Sequence, residues 1–268
     1  MRPTILIVIP TFSHFEYAVR AVESAFTNTK TFEPHVVVFD DASPDFHARV
    51  FDHAAPREIV TANLRVFRFN ENGGLTRSWN HGLGYALERN FDACCVTNSD
   101  VIFAPGWDHD VFTALNSDKY ALVGPVTNTP GTNSEQYVGR YSVLYDPMKK
   151  DDTRHIQHVQ DELFSAQSRR FKETTLNGFC MAAFTKTWWA NAYDENHVFR
   201  PRNDLNSKGE PNPTPLMTLN EYELQGRWHA KGLKTAACLG SYVFHYRAVS
   251  RGDKHKRGDW VRIKKESA

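Results

Sequence analysis

The first half of the chain alternates short apolar runs with stretches in which apolar residues recur every three or four positions. Residues 4–9 form a β-branched run that ends at Pro10, and residues 35–39 form a second run. Continuous runs of this length predict strands that are buried on both faces. Between them, residues 16–26 have the spacing of a helix. This alternation favours right-handed crossovers and a mostly parallel central sheet flanked by helices, an α/β fold.

The same two patterns predict further elements along the chain. Strands are predicted over residues 64–69, 92–97, 120–123, 235–239 and 242–245, and helices over residues 75–87 and 218–231. Gly232 follows the last helix and is predicted to cap it.

Composition and charge exclude several classes of protein. Hydrophobic residues make up 41% of the 268 residues and charged residues 24%, which is ordinary for a folded domain and excludes extensive disorder. The net charge of +1 excludes a wholly basic surface for nucleic acid. The run at residues 4–9 is too short for a membrane span or a signal peptide, and the four cysteines lack CxxC spacing. We therefore expect a cytoplasmic protein with reduced thiols and no membrane span.

Several common catalytic and cofactor motifs are absent from the sequence. The loop after the first strand, residues 10–15, contains no glycine and so is not a dinucleotide-binding turn. There is no P-loop, no GxSxG elbow and no HExxH zinc pattern.

Polar residues instead gather where the predicted strands end, which is where parallel α/β sheets bind ligands. Asp41 lies in the sequence DDAS after the second strand, and it fits either a nucleoside contact or a helix cap. Gly73 and Gly74 open a helix that carries Arg77, which fits either close approach of a phosphate or a plain turn. Asp100 ends the segment Asn98-Ser99-Asp100, and it fits either a divalent metal ligand or a turn former.

The order of these motifs resembles that of the inverting family 2 glycosyltransferases of the GT-A fold. Three later segments agree with that family. They are residues 176–182, a glycine segment on the acceptor side; residues 219–224 with Arg227 and Gly232, an ED-x-D-L…R…G helix; and residues 242–245, a strand that ends in a metal-binding histidine. The resemblance covers about residues 4–250 and implies the nucleotide-diphospho-sugar transferase fold.

The resemblance also implies a role for each matching residue. Glu221 takes the place of the catalytic base, and Asp100 and His245 take the places of ligands to Mn²⁺ or Mg²⁺. The implied donor contacts are Pro10, Thr11, Asp41, Asn72, Gly73, Arg77, Asn98, Ser99 and Arg251. The expected enzyme is a hexosyltransferase that uses a nucleotide sugar, with UDP sugars favoured.

Two positions depart from the family pattern. Asn98 stands where the D-x-D metal motif has its first Asp, and Asn220-Glu221 replaces the usual Glu-Asp pair. Glu223 lies about 200° around the helix from Glu221, so both acids cannot face one pocket.

Under the resemblance, residues 1–268 form a single GT-A domain. Residues 1–125 would bind the nucleotide sugar, and residues 126–250 would carry the acceptor and catalytic half with a surface insertion at 146–175. Residues 251–268 form a basic tail.

The acceptor is open among a glycan, a small molecule and a modified base of DNA, since a basic tail suits either a diphosphate or a polyanion. A nucleotidyltransferase is an alternative, but it would usually have a basic Gly-rich loop after the first strand. A non-catalytic protein that binds sugar nucleotides or glycans is another, favoured by Asn98 and Asn220.

Overall fold

The computed structural model describes most of the chain. The described residues are 1–46, 51, 62–131, 133–146, 151–201 and 220–246. Within them, helices pack on both faces of one nine-stranded sheet.

The strands and helices follow the predicted alternation in the first half of the chain. The strands are β1 (Thr4–Thr11), β2 (Glu33–Asp40), β3 (Leu64–Arg68), β4 (Ala93–Thr97), β5 (Val101–Phe103), β6 (Leu122–Val126), β7 (Phe171–Glu173), β8 (Cys180–Phe184) and β9 (Thr235–His245). The helices are α1 (Phe15–Asn28), α2 (Leu75–Glu88), α3 (Asp108–Leu115), α4 (Thr153–Gln167), α5 (Thr185–Ala190) and α6 (Asn220–Ala230). Two short 3₁₀ helices, Ser134–Gln136 and Val138–Arg140, follow β6.

The sheet has the order β3-β2-β1-β4-β8-β6-β9-β5, and β7 pairs with β9 beside this path. The predicted parallel pairing holds for β3, β2, β1 and β4, and again between β6 and β9. β8 runs antiparallel to both β4 and β6, and β5 and β7 run antiparallel to β9. As a result β1, β2, β4, β6 and β9 all end at the same edge of the sheet, which we call the carboxyl edge.

Two apolar cores cover the two faces of the sheet. One lies under α1 and α3 and includes Trp107, and the other lies under α2, α4, α5 and α6 and includes Trp79, Trp188 and Trp228. Strands β1, β4, β6 and β9 are buried almost throughout because both of their faces are covered. This explains why they appear in the sequence as continuous apolar runs.

The prediction of two short strands at residues 235–239 and 242–245 was wrong, because β9 continues through Gly240 and Ser241. The register of β6 against β9 shifts between Pro125 and Val126, which leaves this part of β9 without its regular ladder partner. The buried side chain of Gln160 on α4 replaces it. Its Nε2 donates to the carbonyl of Gly240 at 2.8 Å, and its Oε1 accepts from the amide of Tyr242 at 2.8 Å.

All four cysteines are buried free thiols. Within the described ranges, the search for a helix with the length and hydropathy of a membrane span finds none.

Candidate active site

A polar cluster at the carboxyl edge joins Asn98 and Asp100 to His245. His245 is the last residue of β9, and Asp100 lies in the turn between β4 and β5. The His245 Nε2 atom is 3.2 Å from Asp100 Oδ1 and 3.2 Å from Asn98 Nδ2. Asp100 and His245 are each only 7% exposed, so this pair is largely shielded from bulk water.

The contacts of His245 assign different roles to its two ring nitrogens. Nδ1 is 3.3 Å from the carbonyl oxygen of Thr129, to which a proton on Nδ1 can be donated. Nε2 is directed toward Asp100 and Asn98. Phe179 stacks on the ring with centroids 5.4 Å apart, which fixes the ring plane.

This donor set fits a divalent cation that uses nitrogen and oxygen ligands. It offers an imidazole nitrogen, a carboxylate and an amide oxygen, and the first two are already within 3.2 Å of each other. Among the described residues, no three His, Cys, Asp or Glu side chains converge on one point. A cation here would therefore need further oxygen ligands, which the phosphates of a substrate and water supply in sites of this kind.

Glu221 and Glu223, near the start of α6, have different surroundings. A Cβ atom at Gly178 would lie 3.2 Å from the Glu221 Cδ atom and 3.0 Å from Trp79, so the Glu221 carboxyl group packs against this glycine. Glu223 forms an ion pair with Arg227, with Nε and Oε1 2.7 Å apart. Arg227 also donates to the backbone carbonyl of Val198. Glu223 therefore belongs to a structural contact, whereas Glu221 lies beside the glycine segment.

Asp41 is bound by three donors of the chain itself. Its carboxylate accepts from the amides of Gly73 at 3.0 Å and Gly74 at 2.7 Å, and from Arg77 Nη2 at 2.6 Å. The Arg77 guanidinium lies between the Phe69 ring, 4.0 Å from its centroid, and Gly73, where a Cβ would be 2.3 Å from Cζ. Gly73 thus has a packing reason that does not depend on a ligand. Asp41, Gly73 and Arg77 together fasten the end of β2 to the start of α2.

The loops after β1 and β2 contain strained backbone. Ser13, His14 and Ala42 have φ between 54° and 64°, the left-handed region that residues with a Cβ seldom adopt. The two loops are tied together, because the amide of Ser13 donates to Ser43 Oγ at 2.7 Å. Strain of this kind concentrates where loops are shaped for binding. Asp40 lies below them, fully buried, and burial raises the pKa of its carboxyl group.

Four of the remaining predicted donor contacts lie at or near the ends of β1 and β4 and before α2. Pro10 and Thr11 end β1 and are buried, Asn72 is exposed before α2, and Ser99 is half-buried between Asn98 and Asp100. Arg251 lies outside the described residues.

Sequence reasoning missed Asn128 and Thr129, which contact His245 directly. The Asn128 side chain binds both the amide and the carbonyl of His245, and Thr129 Oγ1 donates to the same carbonyl at 2.7 Å. Both residues follow β6, which ends three residues beyond the strand predicted over 120–123, so the rule that singled out Asp41 and Asp100 would have found them only with the correct strand end.

Comparison with known proteins identifies the family. The sequence profile of glycosyl transferase family 2 matches residues 6–186, about two thirds of the chain. The chain belongs to glycosyl transferase family 2. The matched residues include most of the carboxyl edge, from β1 through Asp100 to the glycine segment before β8, whereas Glu221 and His245 lie beyond them.

Solved structures support the GT-A fold for this family 2 chain. A mannosyltransferase, PcManGT from Pyrobaculum calidifontis in complex with GDP-Man and Mn²⁺, has a TM-score of 0.57 at 14% identity over 91% of this chain and 57% of its own. GalNAc-T7 with UDP, GalNAc and Mn²⁺ has a TM-score of 0.65 at 14% identity over 98% of this chain and 48% of its own. The family 2 chain thus spans about half the length of these two structures. Curated proteins provide no match. The predicted family and the predicted GT-A fold are confirmed.

Proposed function

We propose that this family 2 glycosyltransferase moves a sugar from a nucleoside diphosphate sugar to an acceptor hydroxyl, with inversion and with a divalent cation bound at Asp100 and His245. The observation that carries this proposal is the 3.2 Å approach of Asp100 Oδ1 to His245 Nε2 at the carboxyl edge, between residues 145 positions apart in sequence. The two similar structures were both solved with Mn²⁺ and a nucleotide or nucleotide sugar, which supports the same ligand classes here.

Different residues at the carboxyl edge would bind different parts of the donor. Pro10, Thr11 and Asp41 would surround the nucleoside, with Asn98 and Ser99 nearer the phosphates and the basic stretch at Arg251 closing over them. A cation bound by Asp100 and His245 would neutralise charge on the departing diphosphate. UDP sugars are the first donors to test, because the family resemblance favours them.

Glu221 is proposed as the general base. Its carboxylate would take the proton of the acceptor hydroxyl while that oxygen bonds to the anomeric carbon. The bond from this carbon to the diphosphate oxygen breaks, and the diphosphate leaves with the electron pair. Attack from the face opposite the leaving group inverts the anomeric centre. Gly178 leaves room beside the carboxylate, since any side chain there would press on it.

Substitution of the two helix acids tests the base. Glu221→Gln keeps the size and hydrogen bonding of the side chain, and it should lower transfer by about 10²-fold or more while donor binding stays near wild type. Glu223→Gln is the matched control, because it removes a charge two residues away that is already paired with Arg227. Loss of transfer in Glu223→Gln with full activity in Glu221→Gln would show that Glu221 is not the general base.

Substitution of Asp100 tests the metal. Asp100→Ala should abolish Mn²⁺-dependent hydrolysis of the nucleotide sugar in the absence of acceptor, with an unchanged circular dichroism spectrum. Nucleotide binding by the wild-type chain without any Mn²⁺-dependent hydrolysis or transfer would instead favour the non-catalytic binding protein. A thermal-shift screen of UDP-, GDP-, CDP- and dTDP-sugars identifies the donor, since a bound ligand raises stability by RT ln(1 + [L]/Kd).

The acceptor is proposed as a glycan or small molecule ahead of DNA, because the net charge is only +1. Salt dependence separates these acceptors. Affinity for duplex DNA should fall with a log–log slope of about −0.9 per phosphate contact, whereas binding of a small donor should fall far less. Truncation after Ser250 should weaken donor binding whatever the acceptor. Normal donor binding together with lost, steeply salt-dependent DNA binding would move a modified DNA base to first place.

A further inference from the structure

The end of β9 is held by the side chain of a residue with no assigned role. Asn128 is 4% exposed and lies just after β6. Its Oδ1 accepts from the amide of His245 at 2.7 Å, and its Nδ2 donates to the carbonyl of the same residue at 3.1 Å. One side-chain amide therefore binds both polar groups of the His245 backbone, as a neighbouring strand would.

The register of the sheet explains why a side chain is needed here. β6 and β9 pair regularly up to Pro125 and Cys238, but the next pair is Val126 with Tyr242. β6 ends at Val126, so its pairing with β9 stops at Tyr242, three residues before His245. On the other side of β9, Val101 of β5 pairs with His245. Asn128 therefore substitutes for the missing strand on one side, so that His245 is fixed from both sides.

The next residue acts on the ring of His245. The Thr129 carbonyl oxygen lies 3.3 Å from Nδ1, and Thr129 Oγ1 donates to the His245 carbonyl at 2.7 Å. Because Asn128 and Thr129 are adjacent, the side chain that fixes the His245 backbone also places the carbonyl that faces Nδ1. Nε2 is then the ring nitrogen that faces the proposed cation site, 3.2 Å from Asp100 Oδ1.

We infer that Asn128 is a positioning residue for the metal site: through the His245 backbone and the Thr129 carbonyl it holds the His245 ring with Nε2 directed toward Asp100. This inference rests on the proposed function, in which His245 binds a divalent cation. Groups that orient a metal-binding histidine typically change metal affinity by about 10- to 100-fold when removed.

The first test uses the protein without metal. Nuclear Overhauser contacts between the ring protons of His245 and Phe179, with His245 assigned by its absence in His245→Gln, should be present in the wild-type chain. They should be weakened or lost in Asn128→Leu, which fills similar space but cannot hydrogen-bond, and kept in Gln160→Leu. Unchanged contacts in Asn128→Leu would overturn the inference.

The second test measures Mn²⁺ binding by electron paramagnetic resonance, with UDP present to provide phosphate ligands. Asn128→Leu should weaken Mn²⁺ binding by about 10- to 100-fold. Gln160→Leu is the matched control, because it removes a buried amide that binds the backbone of the same strand at Gly240 and Tyr242. It should lower the unfolding temperature to a similar extent and leave Mn²⁺ affinity unchanged.

The outcomes separate this inference from the proposed function. Equal Mn²⁺ affinity in wild type and Asn128→Leu, or equal losses in the two Leu variants, would overturn the positioning role alone. Mn²⁺ binding that depends on Asn128 in a chain that transfers no sugar would contradict the proposed function alone. A wild-type chain with no affinity for Mn²⁺ in the presence of UDP would contradict both.

Discussion

Two glycines on α2 should respond in opposite ways to the same substitution. Gly82 faces β1, where a Cβ atom would lie 2.4 Å and 2.5 Å from the two γ carbons of Val8. Gly84, two residues further along the same helix, has no atom within 4 Å of that position. The pair separates packing from helix propensity, because both changes are Gly→Ala in one helix.

The magnitudes follow from these distances. Carbon atoms prefer to be about 3.5–4.0 Å apart, so Gly82→Ala requires α2 or Val8 to move by about 1 Å. Overpacking of this kind costs about 1–3 kcal/mol, and the better helix propensity of Ala returns about 1 kcal/mol. Gly82→Ala should therefore lower the free energy of unfolding by about 0–2 kcal/mol, whereas Gly84→Ala should raise it by about 1 kcal/mol.

Urea unfolding followed by tryptophan fluorescence measures both changes. Combining Gly82→Ala with Val8→Ala should recover part of the loss, which a double-mutant cycle detects as a favourable coupling energy. Equal shifts of the same sign in the two glycine variants, or additivity with Val8→Ala, would refute the argument that β1 and α2 are in closest contact at Gly82.

Three further predictions concern other parts of the structure. Asp41→Ala should lower the free energy of unfolding by about 1–3 kcal/mol, since one buried and two partly buried donors lose their acceptor. It should also raise the donor KM more than it lowers kcat; a change in stability alone would make Asp41 a structural cap only. All four cysteine thiols are buried, and burial raises the pKa of three of them, Cys94, Cys180 and Cys238, so Ellman's reagent should label no cysteine until the chain unfolds. Burial beside Phe91 lowers the pKa of His35 below 6.5, so the unfolded chain binds its proton more readily. Stability should therefore fall as the pH drops through 6.5, and this fall should be smaller in His35→Gln.

The sequence predicted the elements whose burial is uniform. β1, β2 and β4 lie inside the sheet with both faces covered, and their apolar runs were sufficient to locate them. β5 and β7 have three residues each, too few to show a period. The sequence of β8 does not indicate that the strand is antiparallel, because strand direction depends on the path of the connections and not on composition.

The candidate site shows the same division. The order of motifs named Asp100 and His245, and the structure places them together. The order of motifs did not reveal that Gly73 makes room for Arg77, because this contact depends on side-chain packing across a turn. The continuity of β9 through Gly240 was equally hidden, since it depends on Gln160, 80 residues away in sequence.

The position of β9 in the sheet has a consequence for how the chain is made. In the described residues β5 and β7 pair with β9 alone, and β6 has β9 as one of its two neighbours. All three strands leave the ribosome before β9 does. Their edges therefore stay unpaired while more than 60 further residues are synthesised. Unpaired edges of this kind favour aggregation and chaperone binding. A fragment that stops before Thr235 should therefore behave as an incomplete sheet and not as a smaller folded domain.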